Sequence, residues 1–202
     1  MRFAVMASGR GSNFQALIDA RTRDELPNVE LVQLIVNKHK AQAIARAEAA
    51  GIPWKFINSE VMSRAEFDQR ALAVLHDCGA EAVVLAGFMR LLTPEFIGTF
   101  RHHILNIHPA LLPNFPGAHA HRDALAAGVN ESGCSAHLVD EGVDTGPIIL
   151  QQSVEVLPGD TEEILAARIL PHEHRLLPEA VRLLAAGRLK VDGGIVRILP
   201  EK

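Results

Sequence analysis

The chain has no tyrosine and one tryptophan, Trp54. Aromatics make up 4 % of its 202 residues, although 48 % are hydrophobic. A core must therefore be built from leucine, isoleucine, valine and alanine. Cysteine is also scarce. Cys78 and Cys134 are the only two, far apart and outside any CxxC spacing, which excludes a disulfide framework and a cysteine-based zinc site. Long apolar runs are missing as well: none approaches the roughly 18 residues of a membrane span. Met1 leads into "RFAVMAS", too short for a secretory signal before a glycine-rich turn. These absences predict a soluble, cytoplasmic protein without a membrane partner. Nor does one sign of charge dominate. The formal net charge is −4 with both signs scattered, which argues against a nucleic-acid surface. Small anions remain possible ligands, because backbone dipoles bind them whatever the net charge. Repeats, low-complexity tracts and linkers are absent, so the length predicts one domain over 1–202.

Short apolar runs alternate with helical stretches. "RFAVMAS", "VELVQLIVN", "WKFI", "AEAVVLAGF" and "HHILNIH" read as strands. "NFQALIDAR", "AQAIARAEAAG" and "SRAEFDQRALAVLHDCG" read as helices between them, with Gly51 closing the second. Ser63 and Glu66 form a capping box for the third. Such alternation predicts βαβ units and a doubly wound, mostly parallel α/β sheet flanked by helices. From about residue 132 the pattern changes. "SGCSAHLVD" and "GPIILQQSVEVLP" predict an antiparallel pair in the C-terminal half. A long helical stretch follows from Thr161, which Pro171 is expected to break or kink. "RLKVDGGIVRIL" predicts a closing hairpin turning on Asp192, Gly193 and Gly194.

Three stretches could carry chemistry. "SGRGSN", Ser8 to Asn13, joins the first strand to the first helix. Gly9 and Gly11 permit a sharp turn and close approach of a ligand. The helix start offers N–H groups and a favourable dipole to an anion. The loop fits neither a dinucleotide fingerprint nor a triphosphate loop, so a phosphate monoester or a plain capped turn remains. In "ILNIHPALLP" Asn106 and His108 are two apart and share a strand face. Pro109 ends that strand, so both sit at its carboxyl end, where α/β sheets hold ligands. An amide and an imidazole there suit oxyanion stabilisation or proton transfer; a satisfied structural pair is the alternative. "DEGVDTGP" carries Asp144 in a glycine-flanked loop. Beside His108 this carboxylate would orient the ring and favour its charged form; otherwise it is an acidic surface turn.

"SGRGSN", "VLAGFMRLLTPEF", "LNIHPALLPNFPGAHAHRDAL", "GCSAHLVDEGVDTGPIILQ" and "EEILAARILPHEH" follow one another in this order. Together they resemble the phosphoribosylglycinamide formyltransferase family, folate-dependent enzymes of purine synthesis. The Asn-x-His pair and later Asp are common to several formyl-folate enzymes; "GRGSN" and the chain length point to the glycinamide branch. The resemblance implies a formyltransferase-like fold. Its phosphate-binding half would be about 1–100, and its folate and catalytic half about 101–202. It implies that Asn106, His108 and Asp144 are catalytic. Gly11, Ser12 and Asn13 would hold the ribose phosphate, and Glu173 the glycinamide end. Arg64, Met89, Arg90, Leu91 and Leu92 would line the folate site, joined by Asn106, Asp140, Glu141, Gly142, Val143 and Asp144. The co-substrate would be 10-formyltetrahydrofolate, with no metal, and the enzyme a monomer or homodimer acting on small molecules.

Two departures stand out against that family. Ala110 follows Pro109 where serine is more usual, which removes one local hydrogen bond. Leu170, Pro171 and His172 precede Glu173 where polar residues are more usual. His119 with His121, and His172 with His174, lack a cysteine or a carboxylate at ligand spacing. His137, on a predicted strand, reads as structural rather than as a partner of the site. The alternatives are a formyltetrahydrofolate hydrolase, a transfer-RNA formyltransferase without its extra domain, and a non-catalytic folate or nucleotide binder.

Overall fold

The computed structural model describes residues 1–201. The elements run β1 (Arg2–Ala7), α1 (Ser12–Thr22), β2 (Glu30–Val36), α2 (Ala43–Ala49), β3 (Trp54–Phe56), α3 (Arg64–Asp77), β4 (Ala82–Leu85), α4 (Pro94–Thr99), β5 (Ile104–His108), α5 (Ala120–Ala126), β6 (Glu131–Leu138), β7 (Ile148–Glu155), α6 (Glu162–Ala185), β8 (Leu189–Asp192) and β9 (Ile195–Ile198). A seven-stranded sheet has the order β3-β2-β1-β4-β5-β6-β7, and β8-β9 form a separate hairpin. This is the mostly parallel sheet with antiparallel strands toward the C-terminus that the patterning predicts.

The chain divides into two compact units, Met1–Leu105 and Asn106–Lys202. In the first, β1 lies between β2 and β4, parallel to both, and β3 adds to β2 in parallel. Phe3, Ala4, Val5, Met6 and Ala7 on β1 are all fully buried, as are Phe14 and Leu17 on α1 and Phe67, Ala71 and Leu75 on α3. A strand buried on both faces needs this continuous apolar run rather than alternation. The Ser63–Glu66 capping box forms as predicted, and Gly51 follows α2 with φ of 66°. β4 is shorter than the apolar run "AEAVVLAGF", because Gly87 turns the backbone at φ 71°.

In the second unit β6 and β7 pair antiparallel, and α6 packs on them. Gly133 is required by that pairing, since a Cβ there would lie 2.0 Å from the Gln152 carbonyl oxygen. Pro171 does not break the long helix. α6 runs unbroken through 24 residues with Pro171 and Pro178 inside it. Its buried stripe, including Leu165, Ile169, Leu176, Leu177, Ala180, Val181 and Leu184, stabilises the helix against the lost donors. Burying one such side chain is worth about 2 kcal/mol. Two short helices, α4 and α5, lie beyond what periodicity reveals at six and seven residues. α4 did carry a local sign, Thr93 as N-cap followed by Pro94 at the first turn.

Because Pro171 is exposed, restoring its N–H carries no packing penalty. We expect Pro171→Ala to raise the unfolding free energy by about 1–3 kcal/mol in denaturant titration.

Candidate active site

β5 delivers Asn106 and His108 to one face at its carboxyl end, with His108 buried to 4 % exposure. Asp144 comes from the loop after β6 and joins them. Its Oδ2 lies 3.3 Å from His108 Nδ1 and accepts the Gly117 N–H at 2.8 Å. Its Oδ1 accepts from Asn106 Nδ2 at 3.3 Å and lies 3.5 Å from His137 Nε2. The structure therefore brings the predicted trio together, and Asp144 is not a surface turn. Burial pushes the Asp144 carboxyl up. The His137 hydrogen bond, the Gly117 N–H and the positive ends of both imidazoles outweigh that, and hold it at about 2.

The ring nitrogens show where protons must sit. His108 Nε2 lies 2.8 Å from the Phe115 carbonyl, which can only accept, so Nε2 carries hydrogen. Nδ1 faces a carboxylate, so the doubly protonated ring satisfies both neighbours. His137 Nδ1 lies 2.9 Å from the Leu138 carbonyl and must likewise donate. Its Nε2 lies 3.1 Å from Asn106 Nδ2 and 3.5 Å from Asp144 Oδ1, so a charged ring donates to the carboxylate and a neutral ring instead accepts from the amide. Both amide hydrogens of Asn106 are then engaged, one on His137 and one on Asp144. With that neutral ring, a substrate oxygen accepts a hydrogen bond from Asn106 or His108 only by displacing one of these internal partners.

The loop that carries Asp144 is tightly constrained. Asp140 Oδ1 accepts from the Gly142 N–H at 3.1 Å and from the Thr145 hydroxyl at 2.7 Å. A Cβ at Gly142 would sit 1.9 Å from Thr145 Oγ1, and one at Gly146 would sit 1.9 Å from the Leu138 carbonyl oxygen. Asp144 itself has φ of 53°, the left-handed region that aspartate tolerates better than most residues. Glu141, Gly142 and Val143 remain exposed.

In the first unit the predicted phosphate loop leads into α1. Its carbonyls are engaged: Gly9 O accepts the Ala43 N–H at 3.2 Å, Gly11 O accepts the Gln15 N–H at 2.9 Å, and Arg10 O accepts from Arg46 Nε at 2.9 Å. The first N–H groups of the helix have no intrahelical acceptor. Gly11 is held for a reason beyond close ligand approach. Its φ is 68°, and a Cβ would lie 2.7 Å from Ala43 Cβ, whereas Gly9 has open space. Ser8, the first residue of the loop, accepts the Met89 N–H on Oγ at 2.8 Å.

Met89 and Leu91 are exposed, while Leu92 is buried. Arg90 turns inward: its guanidinium donates to the Ser59 and Met62 carbonyls at 2.9 and 3.2 Å and lies 5.1 Å from the Phe67 ring centre. Its charge is thus used within the protein. Among the described residues, the backbone N–H and C=O groups of Arg90, Leu91 and Leu92 take no partner from the chain. Arg64 is the exposed first residue of α3.

Residues 1–181 match the formyl transferase family model. The chain belongs to the formyl transferase family. It is 48 % identical over 203 residues to the trifunctional purine biosynthetic protein adenosine-3 of Drosophila pseudoobscura pseudoobscura, covering 99 % of this chain but only 15 % of that protein. It is 41 % identical to phosphoribosylglycinamide formyltransferase of Escherichia coli, covering 95 % of this chain and 90 % of that one. The crystal structure of glycinamide ribonucleotide transformylase 1 from Symbiobacterium toebii superposes with a TM-score of 0.96 at 44 % identity, over 99 % of this chain and 94 % of that chain.

The formyl transferase places the predicted residues in two groups. Gly11, Ser12, Asn13, Arg64 and the 89–92 stretch lie in the first unit, and Asn106, His108, the 140–144 loop and Glu173 in the second. Glu173 is buried on α6. Ala110 is buried, and Ser135 Oγ donates to its carbonyl at 2.6 Å and accepts the Leu112 N–H at 3.0 Å. Sequence reasoning underrated His137, which touches both Asn106 and Asp144, and missed Gly117 and Phe115. Only position on a strand marked His137, and nothing local marked the others. A cavity of about 430 Å³ between α1, α2 and β2, lined by Ile18, Leu31, Arg46 and Ile52, holds none of the predicted residues. Among the described residues no group of three or more histidine, cysteine, aspartate and glutamate side chains could hold a metal ion, and no helix is long and apolar enough to cross a membrane.

Two outcomes follow. Gly11→Ala should lower stability by about 1–2 kcal/mol or more through the left-handed φ and the Ala43 contact, while Gly9→Ala leaves the melting temperature unchanged. The depressed Asp144 carboxyl contributes stability above its unfolded value of 3.8, lost as pH falls through about 2. The contribution is roughly 2 kcal/mol. The wild-type advantage over Asp144→Asn in urea unfolding should therefore shrink between about pH 5 and about pH 2.

Proposed function

We propose that this formyl transferase moves the formyl group of 10-formyltetrahydrofolate to the amine of 5'-phosphoribosylglycinamide, giving the formylglycinamide ribonucleotide and tetrahydrofolate of purine synthesis. The observation that carries the reading is the half-buried Asp144 carboxylate bonded to Asn106 and set against His108 and His137. The amine attacks the formyl carbon, and the carbonyl oxygen becomes an oxyanion. Asn106 and the protonated His108 donate to it once the substrate displaces His137 or Phe115 from their hydrogens. Collapse expels the folate N10, which takes up a proton as the attacking amine loses one. Asp144 accepts and returns that proton, directly or through water. Both substrates react directly, so no covalent enzyme intermediate forms.

The engaged carbonyls of Gly9, Arg10 and Gly11 support a ribotide phosphate at the start of α1. The unpartnered backbone of 90–92, with the exposed Met89 and Leu91 side chains beside it, supports a flat, hydrogen-bonding heterocycle. The family match crosses both units, which supports reading 1–202 as one formyltransferase domain.

Steady-state assay with both substrates tests this. Formate release without the ribotide would favour a hydrolase, and binding without turnover a non-catalytic binder. Asp144→Asn should lower kcat by about 10²-fold or more with both KM values little changed, because its contribution lies in the transition state. His108→Ala should be at least as damaging, and the double variant far from additive.

A further inference from the structure

The 89–93 segment is held at both ends by side chains outside it. Its first N–H, at Met89, is taken by Ser8 Oγ at 2.8 Å. Its last, at Thr93, is taken by Asp68 Oδ2 at 2.6 Å. Asp68 lies on α3 and is 1 % exposed. The residue before it, Phe67, lies under the Arg90 guanidinium. α3 thus contacts the segment at two points. The contact comes at a cost in stability. Asp68 Oδ1 and Arg90 Nε are both buried without a hydrogen-bond partner among the described residues, and such atoms oppose folding. Burial pushes the Asp68 carboxyl up, opposed by the Thr93 hydrogen bonds and the charges of Arg90 and Arg64. A neutral residue would fill this place more cheaply unless the anchored segment needed a strong acceptor.

We propose that Asp68 is a positioning residue for the folate: by accepting the Thr93 N–H opposite the Ser8–Met89 bond, it holds the backbone of Arg90, Leu91 and Leu92 in a shape that presents its unpaired N–H and C=O groups to the heterocycle. This rests on the folate reading of that segment given above. Asp68 touches no substrate and acts through Thr93. Losing it lets the segment sample other shapes, which weakens folate binding. The ribotide and the chemical step are left alone.

The test measures KM for 10-formyltetrahydrofolate and for the ribotide, with Kd for tetrahydrofolate by fluorescence titration, in wild type, Asp68→Asn and Asp68→Ala. Asp68→Ala should raise the folate KM and the tetrahydrofolate Kd on the order of tenfold, with ribotide KM and kcat within about twofold. Asp68→Asn keeps an acceptor oxygen but loses its charge, and should give a smaller rise of roughly threefold. An unchanged folate Kd in Asp68→Asn, equal rises in both KM values, or a fall in kcat alone would overturn the proposal. If Asp68→Ala does not fold, Asp68→Asn decides by the same readings. A wild-type protein that fails to bind tetrahydrofolate overturns the folate reading and this proposal together. Wild-type binding with unaltered variants overturns the proposal alone.

Discussion

A carboxylate drawn largely out of water must be surrounded by donors, and the second unit is arranged to supply them to Asp144. An amide from a strand end, imidazoles from two strands and a backbone N–H from the 117 turn all point at its two oxygens. Removing the carboxylate from water costs free energy, yet its proton affinity falls rather than rises, because these groups more than replace the lost solvent. The same pattern orients the imidazoles. A ring with one nitrogen against a carbonyl and the other against a carboxylate cannot rotate without losing both contacts.

The surrounding backbone follows from where that oxygen pair must be. The 140–146 loop leaves β6, doubles back and enters β7, and at two of its glycines there is no room for a side chain beside Thr145 and Leu138. Asp144 adopts a left-handed backbone conformation, a local cost of the kind that accumulates at functional sites. Around β5 and β6, Ser135 and Gln151 tie the 110–112 turn to the strands, with Gln151 Nε2 donating to Ser135 Oγ at 2.8 Å and to the Leu112 carbonyl at 2.9 Å.

A site whose donors already hold internal partners is ordered before substrate arrives. In the proposed reaction, Asn106 and His108 would exchange a neutral neighbour, His137 or the Phe115 carbonyl, for a developing oxyanion. Charge-assisted bonds are the stronger ones, so the exchange is favoured most when negative charge is greatest. That is the differential stabilisation catalysis requires. The 89–93 segment is arranged in the opposite way: its ends are bonded to Ser8 and Asp68, and the backbone of its middle is left open.

Sequence alone determined what depends on short range. Hydrophobic runs and glycine punctuation marked the alternating strands and helices, and the Ser63–Glu66 box set a helix start. The spacing of two in Asn106 and His108 placed them on one face of a strand end, because side chains alternate along a strand whatever surrounds them. Tertiary structure decided the rest. Pro171 should have interrupted α6 by local rules, but a continuous buried stripe outweighs it. Asp144, His137, Phe115 and Gly117 are separated from His108 by up to 36 residues, and no local pattern encodes their meeting. Arg90, expected to line the folate site, turns its guanidinium onto the Ser59 and Met62 carbonyls. Gly11, read as room for a phosphate, is also room for Ala43. Each of these depends on which distant group arrives at a given point, and packing settles that only once the whole chain has folded.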